Sequence, residues 1–155
     1  KFFIEFCVEE SCGKCPPCRV GTRQMREMLA DIAGGQATPE TVARLESLAS
    51  TVNQASLCGL GMTAPNPVLS TLRHFRDEYE AHVVDRHCPA HVCTQLLTFA
   101  IAYDRCRGCR LCERNCPTKT IFRVDGERKY YIEQSGCIHC GTCFEVCPFS
   151  AVTKA

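Results

Sequence analysis

The sequence CRGCRLCERNCPTKTI at residues 106–121 recurs as CIHCGTCFEVCPFSAV at residues 137–152, with a period of 31 residues. Each copy has the spacing C-x2-C-x2-C-x3-C-P. A repeat of this kind indicates two similar halves that stack on a shared core. Between the copies, Asp125-Gly126 is a turn signal that predicts a hairpin of two short strands. We therefore expect residues 98–155 to form one small domain with internal pseudo-symmetry.

The cysteine spacing of the repeat is that of the bacterial two-cluster ferredoxins, in which each run binds a 4Fe–4S cluster. Three closely spaced cysteines can wrap one cluster, and the backbone N–H groups of the loop stabilise its negative charge. The fourth cysteine of each run binds the other cluster. The first repeat cluster is assigned to Cys106, Cys109, Cys112 and Cys147. The second repeat cluster is assigned to Cys137, Cys140, Cys143 and Cys116. Zinc knuckles are the alternative, but zinc sites usually use C-x2-C pairs rather than triplets.

Residues 1–84 predict a small bundle of three amphipathic helices joined by short turns. Thr38 with Pro39, and Asn66 with Pro67, are expected to begin the second and third helices. The expected buried stripes are Val20, Met25, Met28, Leu29 and Ile32; Val42, Leu45, Leu48, Ala49 and Val52; and Val68, Leu72, Phe75 and Tyr79.

A third cysteine set lies in this bundle and consists of the triplet Cys12, Cys15 and Cys18 with the more distant Cys58. The first long helix leaves the triplet and the second returns to Cys58, so the four thiols can meet. The glycine-rich loop around Cys58 allows the backbone to approach a cluster closely. We expect these four cysteines to bind the bundle cluster, with zinc as the alternative.

The overall composition of the chain limits the classes of protein that it can represent. Fifteen of the 155 residues are cysteine, which indicates either a secreted disulfide scaffold or metal binding. The opening KFFIEFCVEESCGKC has acidic residues where a signal peptide has its apolar core. Cysteines this close together are better placed to hold one inorganic group than to pair across a fold. We therefore expect metal-bound thiolates in a reducing cytoplasm.

The net charge of +1 gives no electrostatic argument for nucleic acid or an anionic membrane as a partner. The longest apolar stretch, residues 92–103, is interrupted by polar residues and is too short to cross a bilayer. No acid, base and nucleophile constellation stands out, so we expect no catalytic residue in this chain.

The cluster motif of the bundle resembles a known family. ESCGKCPPCR at residues 10–19, with Gly21, is similar to the C-terminal cluster motif of the NADH-binding flavoprotein subunit of respiratory complex I. SLCGLG at residues 56–61 resembles the fourth-ligand loop of that family. The resemblance implies a helical bundle with one 4Fe–4S cluster beside FMN, which receives the electrons that NADH has given to the flavin.

The added two-cluster domain resembles the beta subunit of electron-bifurcating, NAD(P)-linked iron-only hydrogenases, and related diaphorase subunits of formate dehydrogenases. Residues 66–80 and Cys88-Pro89-Ala90 fit this group as well. The flavin- and NADH-binding region of that family would precede Lys1, and no G-x-G-x-x-G loop is present here. Because the chain does not begin with Met, we expect it to be the C-terminal piece of a longer polypeptide. FMN and NAD(P) are expected in that missing region, and no residue here can be named for either.

Three cysteines remain outside the cluster sets: Cys7, Cys88 and Cys93. His82, Cys88 and Cys93 have the residue types and the proximity of a structural zinc site, which would stiffen the junction at residues 85–97. The resemblance to the hydrogenase subunit also implies this zinc hinge. The fourth ligand is left open among His91, His87, Cys7 and a residue of another chain; the alternative is two buried thiols beside solvent-facing histidines. Cys7 alone is expected to pack near the bundle cluster.

The sequence thus predicts an α+β chain with three parts: a helical bundle carrying one 4Fe–4S cluster (1–84), a junction (85–97) and a two-cluster ferredoxin-type domain (98–155). The expected function is electron relay between a flavin and NAD(P)H site and a partner redox subunit, most readily in an electron-bifurcating hydrogenase. The resemblance implies a thioredoxin-like 2Fe–2S subunit and a hydrogenase or formate dehydrogenase catalytic subunit as partners, with external ferredoxin as another. The alternatives are the diaphorase subunit of an NAD-dependent formate dehydrogenase, a free-standing ferredoxin-like carrier and a structural zinc protein.

Overall fold

The computed structural model describes all 155 residues and divides into two compact units, Lys1–Pro89 and Ala90–Ala155. The division falls inside the predicted junction at residues 85–97. Each unit has its own core of buried apolar side chains. The first unit is helical and the second combines short strands with short helices, so the predicted α+β class is confirmed.

The first unit is a bundle of six α-helices and two π-helical turns. Its elements are α1 (Phe2–Glu9), a first π-turn (Pro17–Gly21), α2 (Thr22–Ala33), α3 (Pro39–Ala55), α4 (Gly59–Thr63), α5 (Asn66–His74), α6 (Arg76–Glu80) and a second π-turn (Ala81–Asp85). Helix α3 packs against α2 and α5, and α1 packs against α2. Along the chain, the cysteine triplet lies between α1 and α2, and its last member, Cys18, is part of the first π-turn.

The predicted buried stripes are confirmed at most positions; Met25, Leu45 and Leu72, for example, are 0–1% exposed. The prediction is wrong for Val20, which is 45% exposed. Val20 lies in the first π-turn, whose wider turn changes the face that a side chain presents. It is also wrong for Phe75, which is 52% exposed, because the third predicted helix breaks there into α5 and α6 at φ −137° and ψ 40°.

The predicted helix start at Thr38 is confirmed. Thr38 is the N-cap of α3, Pro39 is its first residue, and the Thr38 backbone N–H donates to Oγ1 of Thr41 at 3.2 Å. The third predicted helix begins one residue earlier than expected, because Pro65 occupies the cap position and Asn66 is already helical. The Asn66 side chain instead accepts a hydrogen bond from Nδ2 of Asn53.

The second unit holds two short antiparallel sheets and two short helices. Its elements are β1 (Phe99–Ile101), α7 (Leu111–Asn115), β2 (Ile121–Arg123), β3 (Tyr130–Ile132), α8 (Thr142–Glu145) and β4 (Val152–Lys154), with single 3-10 turns at Thr94–Leu96 and Gln134–Gly136. Strand β1 pairs with β4, with Phe99 opposite Lys154, and β2 pairs with β3, with Ile121 opposite Ile132. The predicted hairpin is confirmed, and its Gly126 has the positive φ of +77° that its turn requires.

The backbone of the second unit repeats with the same period as its sequence. Left-handed residues occur in three pairs that are each 31 positions apart: Gly108 and His139, Arg110 and Gly141, and Lys119 and Ser150. Two of these pairs lie inside the C-x2-C-x2-C loops. Left-handed residues between right-handed or extended ones turn successive N–H groups to one side of a loop, which makes a concave anion site.

Candidate iron–sulfur sites

The four cysteines assigned to the second repeat cluster line one small cavity. Cys137, Cys140 and Cys143 come from the second loop, and Cys116 comes from the end of α7. The remaining wall of the cavity is mostly apolar and includes Phe99, Ile121 and Ile132. The chain thus brings a cysteine of the first run to the triplet of the second run, which is the crossover that the spacing predicts.

The thiol of Cys116 lies among hydroxyl groups. Oγ1 of Thr118 and Oγ1 of Thr120 each lie 3.6 Å from its Sγ. Burial raises the pKa of Cys116, but hydrogen bonds from Thr120 and Thr118 outweigh it and hold the pKa at about 7, below the ordinary value. Cys116 is therefore partly ionised near neutral pH before any metal binds, as a thiolate ligand must be.

The middle helices α7 and α8 pack against each other and carry one buried cysteine each, Cys112 and Cys143. Burial raises the pKa of Cys112, and the nearby thiols of Cys109 and Cys106 raise it further. Burial, together with the neighbouring thiols of Cys137, Cys140 and Cys112, raises the pKa of Cys143 to about 11. Closely gathered, buried thiolates repel one another unless a cation lies among them, so these sets are suited to bound iron.

Cys147 is the fourth cysteine that the sequence assigns to the first repeat cluster. It is partly buried and packs against the core that contains Cys106 and Cys112. Its Sγ accepts the backbone N–H of Ala151 at 3.3 Å. The backbone of Thr120, the residue at the equivalent position of the first copy, hydrogen-bonds to Cys116 in the same way, and the hydroxyl of Thr120 adds a further contact.

The bundle set is formed where the first π-turn meets the loop before α4. Cys15 and Cys18 are buried, whereas Cys12 and Cys58 are exposed. The pKa of Cys15 is lowered, first by the backbone N–H of Leu57, then by that of Cys18. Because Leu57 directly precedes Cys58, this contact brings the fourth-ligand loop to the triplet.

Close packing holds this loop against the π-turn. A Cβ at Gly61 would lie 3.1 Å from Cβ of Cys18 and 2.6 Å from both side-chain atoms of Ser56. The Ser56 hydroxyl donates to the Val52 carbonyl at 2.6 Å, which ties the loop to the end of α3. Glycine at position 61 is therefore what lets α4 approach Cys18.

Cys7 lies on α1, within electrostatic range of Cys18. Burial raises the pKa of the Cys7 thiol and the neighbouring Cys18 raises it further, so Cys7 is a poor source of thiolate. This position agrees with the prediction that Cys7 packs near the bundle set.

Of the three predicted zinc ligands, His82 and Cys88 lie in the first unit and Cys93 lies in the second. His82 lies in the second π-turn, and its Nδ1 is 2.6 Å from the carbonyl oxygen of Glu78. If Nδ1–H donates to that carbonyl, Nε2 is the nitrogen oriented toward a metal. Cys88 is 2% exposed. One imidazole and two thiols are ligand types that structural zinc sites use, usually four to a site.

The sequence reasoning missed the threonine hydroxyls around the second repeat set. Besides Thr118 and Thr120, Oγ1 of Thr142 lies 3.4 Å from Sγ of Cys140. Aligning the two copies of the repeat position by position would have found them.

No helix of the chain is both long enough and apolar enough to cross a membrane.

Comparisons with known proteins match both units. The family model for the "NADH-ubiquinone oxidoreductase-F iron-sulfur binding region" matches residues 1–82, and that for the "4Fe-4S dicluster domain" matches residues 105–151. The NADP-reducing hydrogenase subunit HndC of Solidesulfovibrio fructosivorans is 51% identical over 121 residues, which are 78% of this chain and 25% of HndC.

Two further relatives match about half of this chain each. The F subunit of the NADH-quinone oxidoreductase of Streptomyces coelicolor is 44% identical over 87 residues, which are 56% of this chain and 19% of that relative. A crystal structure of an NAD+-reducing NiFe-hydrogenase in the H2-reduced state has a TM-score of 0.50 and 42% identity, covering 52% of this chain and 14% of that one. The chain thus spans a quarter or less of the length of these relatives.

The thiol-only donor sets, the left-handed loop residues and the apolar surroundings fit 4Fe–4S clusters, because such clusters take four cysteine thiolates and N–H donors around their sulfurs. The family descriptions agree with this donor chemistry in each unit. The chain is therefore an iron–sulfur protein that belongs to the family of the NADH-ubiquinone oxidoreductase-F iron-sulfur binding region, and its residues 105–151 match the model of a 4Fe-4S dicluster domain.

Proposed function

We propose that the chain relays electrons through three 4Fe–4S clusters, between a flavin and NAD(P)H site outside these residues and a partner redox subunit. The observation that carries the proposal is the cavity that Cys116 shares with Cys137, Cys140 and Cys143. It supports a crossed ligand pattern, which ties two clusters into one fold and keeps them close enough for stepwise transfer. The relatives support the redox setting, since they are named as subunits of NAD(P)-linked hydrogenases and of NADH-quinone oxidoreductases.

The residues of this chain have three roles in the proposal. The twelve assigned cysteines hold the clusters, which supply one-electron chemistry when bound. The loop N–H groups, such as that of Leu57 at Cys15, stabilise thiolate charge. The apolar core of the second unit includes Cys106, Cys112 and Cys143 and restricts access of water to these three sulfurs.

Iron and acid-labile sulfide analysis of the purified protein tests the cluster number. Three 4Fe–4S clusters require about twelve irons per chain. Cys116→Ser should alter the content or the electron paramagnetic resonance (EPR) signal of one cluster, whereas the matched control Cys7→Ser should keep all three. A chain dominated by zinc, with little iron and sulfide, would contradict the proposal.

The partner is proposed to belong to an electron-bifurcating, NAD(P)-linked hydrogenase in the cytoplasm, with a thioredoxin-like 2Fe–2S subunit beside it. FMN and NAD(P) are assigned to the region of the polypeptide that precedes Lys1. The identity to HndC across both units favours a hydrogenase over formate dehydrogenase. Affinity purification of the full-length polypeptide tests this: a co-purified hydrogenase subunit supports it, whereas a formate dehydrogenase, or no partner at all, contradicts it.

We also propose a structural zinc ion at His82, Cys88 and Cys93. The proposal is supported by the residue types of a zinc donor set and by the Glu78 carbonyl at Nδ1 of His82, which can orient the imidazole ring. Metal analysis should find about one zinc per chain, and Cys88→Ser should remove it while the iron content is kept. Iron-loaded protein without zinc would refute this site and leave the electron relay intact.

A further inference from the structure

The two copies of the repeat differ at the residues that surround their sulfurs. Positions 118, 120 and 142 are threonine, whereas the positions 31 residues away in the other copy are occupied by Phe149, Ala151 and Leu111. Each threonine therefore has an apolar counterpart. Because the backbone repeats with the same period, this difference lies in the side chains and not in the fold.

All three hydroxyls contact cysteines of the second repeat set. The distances to Sγ are 3.6 Å from Thr118 and from Thr120 to Cys116, and 3.4 Å from Thr142 to Cys140. The corresponding Cys147 of the first repeat set accepts the backbone N–H of Ala151, just as Cys116 has a backbone hydrogen bond from Thr120. No hydroxyl contact to Cys106, Cys109, Cys112 or Cys147 accompanies it among the hydrogen bonds of the structure.

A metal-bound thiolate can only accept hydrogen bonds, so the hydroxyls must donate to sulfur. Thr118 and Thr120 also lie 3.2 Å apart, so one hydroxyl can donate to the other while the second donates to Cys116. Whether both hydroxyls donate to Cys116 or one donates through the other, at least one hydroxyl proton points to this sulfur. When one hydroxyl donates to the other, the hydrogen bond from the second hydroxyl to the sulfur becomes stronger. Thr142 adds a separate donor at Cys140.

Hydrogen bonds to cluster sulfurs raise the reduction potential, because the reduced cluster carries one more negative charge. Positive charges in the first loop also raise the reduction potential of the first repeat cluster. They therefore reduce the difference in potential between the two clusters. Arg107 and Arg110 stand where the second loop has Ile138 and Gly141. Both arginines are exposed, and Arg110 is paired with Glu113 at 3.0 Å, so solvent and the carboxylate screen them. Lys129 is a third cation near the first set, with its Nζ 2.8 Å from the carbonyl oxygen of Cys106 and not in contact with a sulfur. Because the threonine hydroxyls contact sulfur directly, we expect their effect on the potential to be the larger one.

We propose that the hydroxyls of Thr118, Thr120 and Thr142 raise the reduction potential of the second repeat cluster above that of the first. The second repeat cluster is then the electron-accepting end of the pair, and the threonines are positioning residues that act through the cysteines. This inference rests on the proposed function, since it requires both repeat clusters to be present.

Redox-poised EPR of the iron-loaded protein tests the proposal. Cys58→Ser first identifies the signal of the bundle cluster, so that the two remaining midpoints belong to the repeat clusters. We expect the higher of these two midpoints to fall in the double variant Thr118→Val with Thr120→Val. It should also fall in the single variant Thr142→Val. We expect about a tenfold change in the reduction equilibrium for the double variant, equivalent to about 59 mV for one electron. Valine matches threonine in shape, and Thr142→Val probes a second position should the double variant fold poorly.

Two controls separate hydroxyl loss from general disturbance. Thr153→Val removes a hydroxyl that donates to the Ala100 carbonyl on the β1–β4 sheet, and it should leave all midpoints unchanged. Leu111→Thr places a hydroxyl at the counterpart of Thr142, and it should raise the lower repeat midpoint.

The outcomes are distinguishable. Unchanged midpoints in the threonine variants, in protein with full iron and sulfide, would overturn the inference while the electron relay stands. A fall in the lower of the two repeat midpoints would overturn the proposed order of the clusters. Absence of three 4Fe–4S signals in the unaltered protein would overturn the proposed function and the inference with it.

Discussion

Gly61→Ala tests whether the bundle site depends on close packing between α4 and the first π-turn. The added Cβ would lie 2.6 Å from Cβ and Oγ of Ser56 and 3.1 Å from Cβ of Cys18. Real side chains do not tolerate the first of these distances, so Ser56 must move. Ser56 is buried, and its hydroxyl is bonded to the Val52 carbonyl, so its movement also disturbs the end of α3.

Two effects of the substitution oppose each other. Alanine is favoured over glycine inside a helix by about 1 kcal/mol. Overpacking in a filled core costs about 1–3 kcal/mol. Because the clash at Gly61 involves Cβ atoms and not the flexible end of a side chain, we expect overpacking to dominate. The free energy of unfolding should fall by up to about 2 kcal/mol.

The same movement should affect the bundle cluster selectively. Ser56 is followed by Leu57, whose N–H bonds to Cys15, and by Cys58, the assigned fourth ligand. Gly61→Ala should therefore lose about four of about twelve irons, while the two repeat clusters keep theirs. Chemical denaturation with iron analysis and EPR measures both effects.

Gly59→Ala is the matched control, since it lies in the same helix and its Cβ would meet no atom within 4 Å. It should keep the iron content and leave stability equal or slightly raised. If Gly61→Ala matches Gly59→Ala in both stability and iron content, the packing argument is wrong.

Three further predictions concern the core of the first unit, one helix cap and one loop of the repeat. Leu45→Ala removes a side chain with 0% exposure and should lower the free energy of unfolding by about 2–5 kcal/mol, measured by denaturant titration. Thr38→Ala removes the N-cap of α3 and should cost about 1 kcal/mol. Gly108→Ala would place a Cβ 2.3 Å from a backbone carbonyl at φ +70° and should reduce iron in the repeat clusters, whereas His139→Ala, at the matched position, should not.

The helices show how far sequence pattern alone can be trusted in this chain. The start of α3 at Thr38 is correct because a cap is a local hydrogen-bonding problem that adjacent residues solve. Phe75 was expected to be buried, but the chain breaks there and its ring is half exposed. Periodicity could not reveal this break, because nothing in the spacing of Val68, Leu72 and Tyr79 signals it.

The cysteine sets also separate what adjacent residues determine from what they do not. The runs of cysteines, their period of 31 and the proline after each run determine by themselves that the chain is built to hold 4Fe–4S clusters. Cluster ligation needs a short loop of defined conformation, and neighbouring residues in the sequence determine such a loop. Sequence spacing also predicted the crossover of Cys116, which then lines the cavity of the second triplet.

Only the tertiary structure decided what surrounds each sulfur. The hydroxyls of Thr118, Thr120 and Thr142, the N–H of Leu57 at Cys15, and the close approach of Gly61 to Cys18 depend on how the chain folds back on itself. Ligand identity follows from spacing along the chain, whereas the environment of a ligand follows from contacts across space, and these contacts set its pKa and potential.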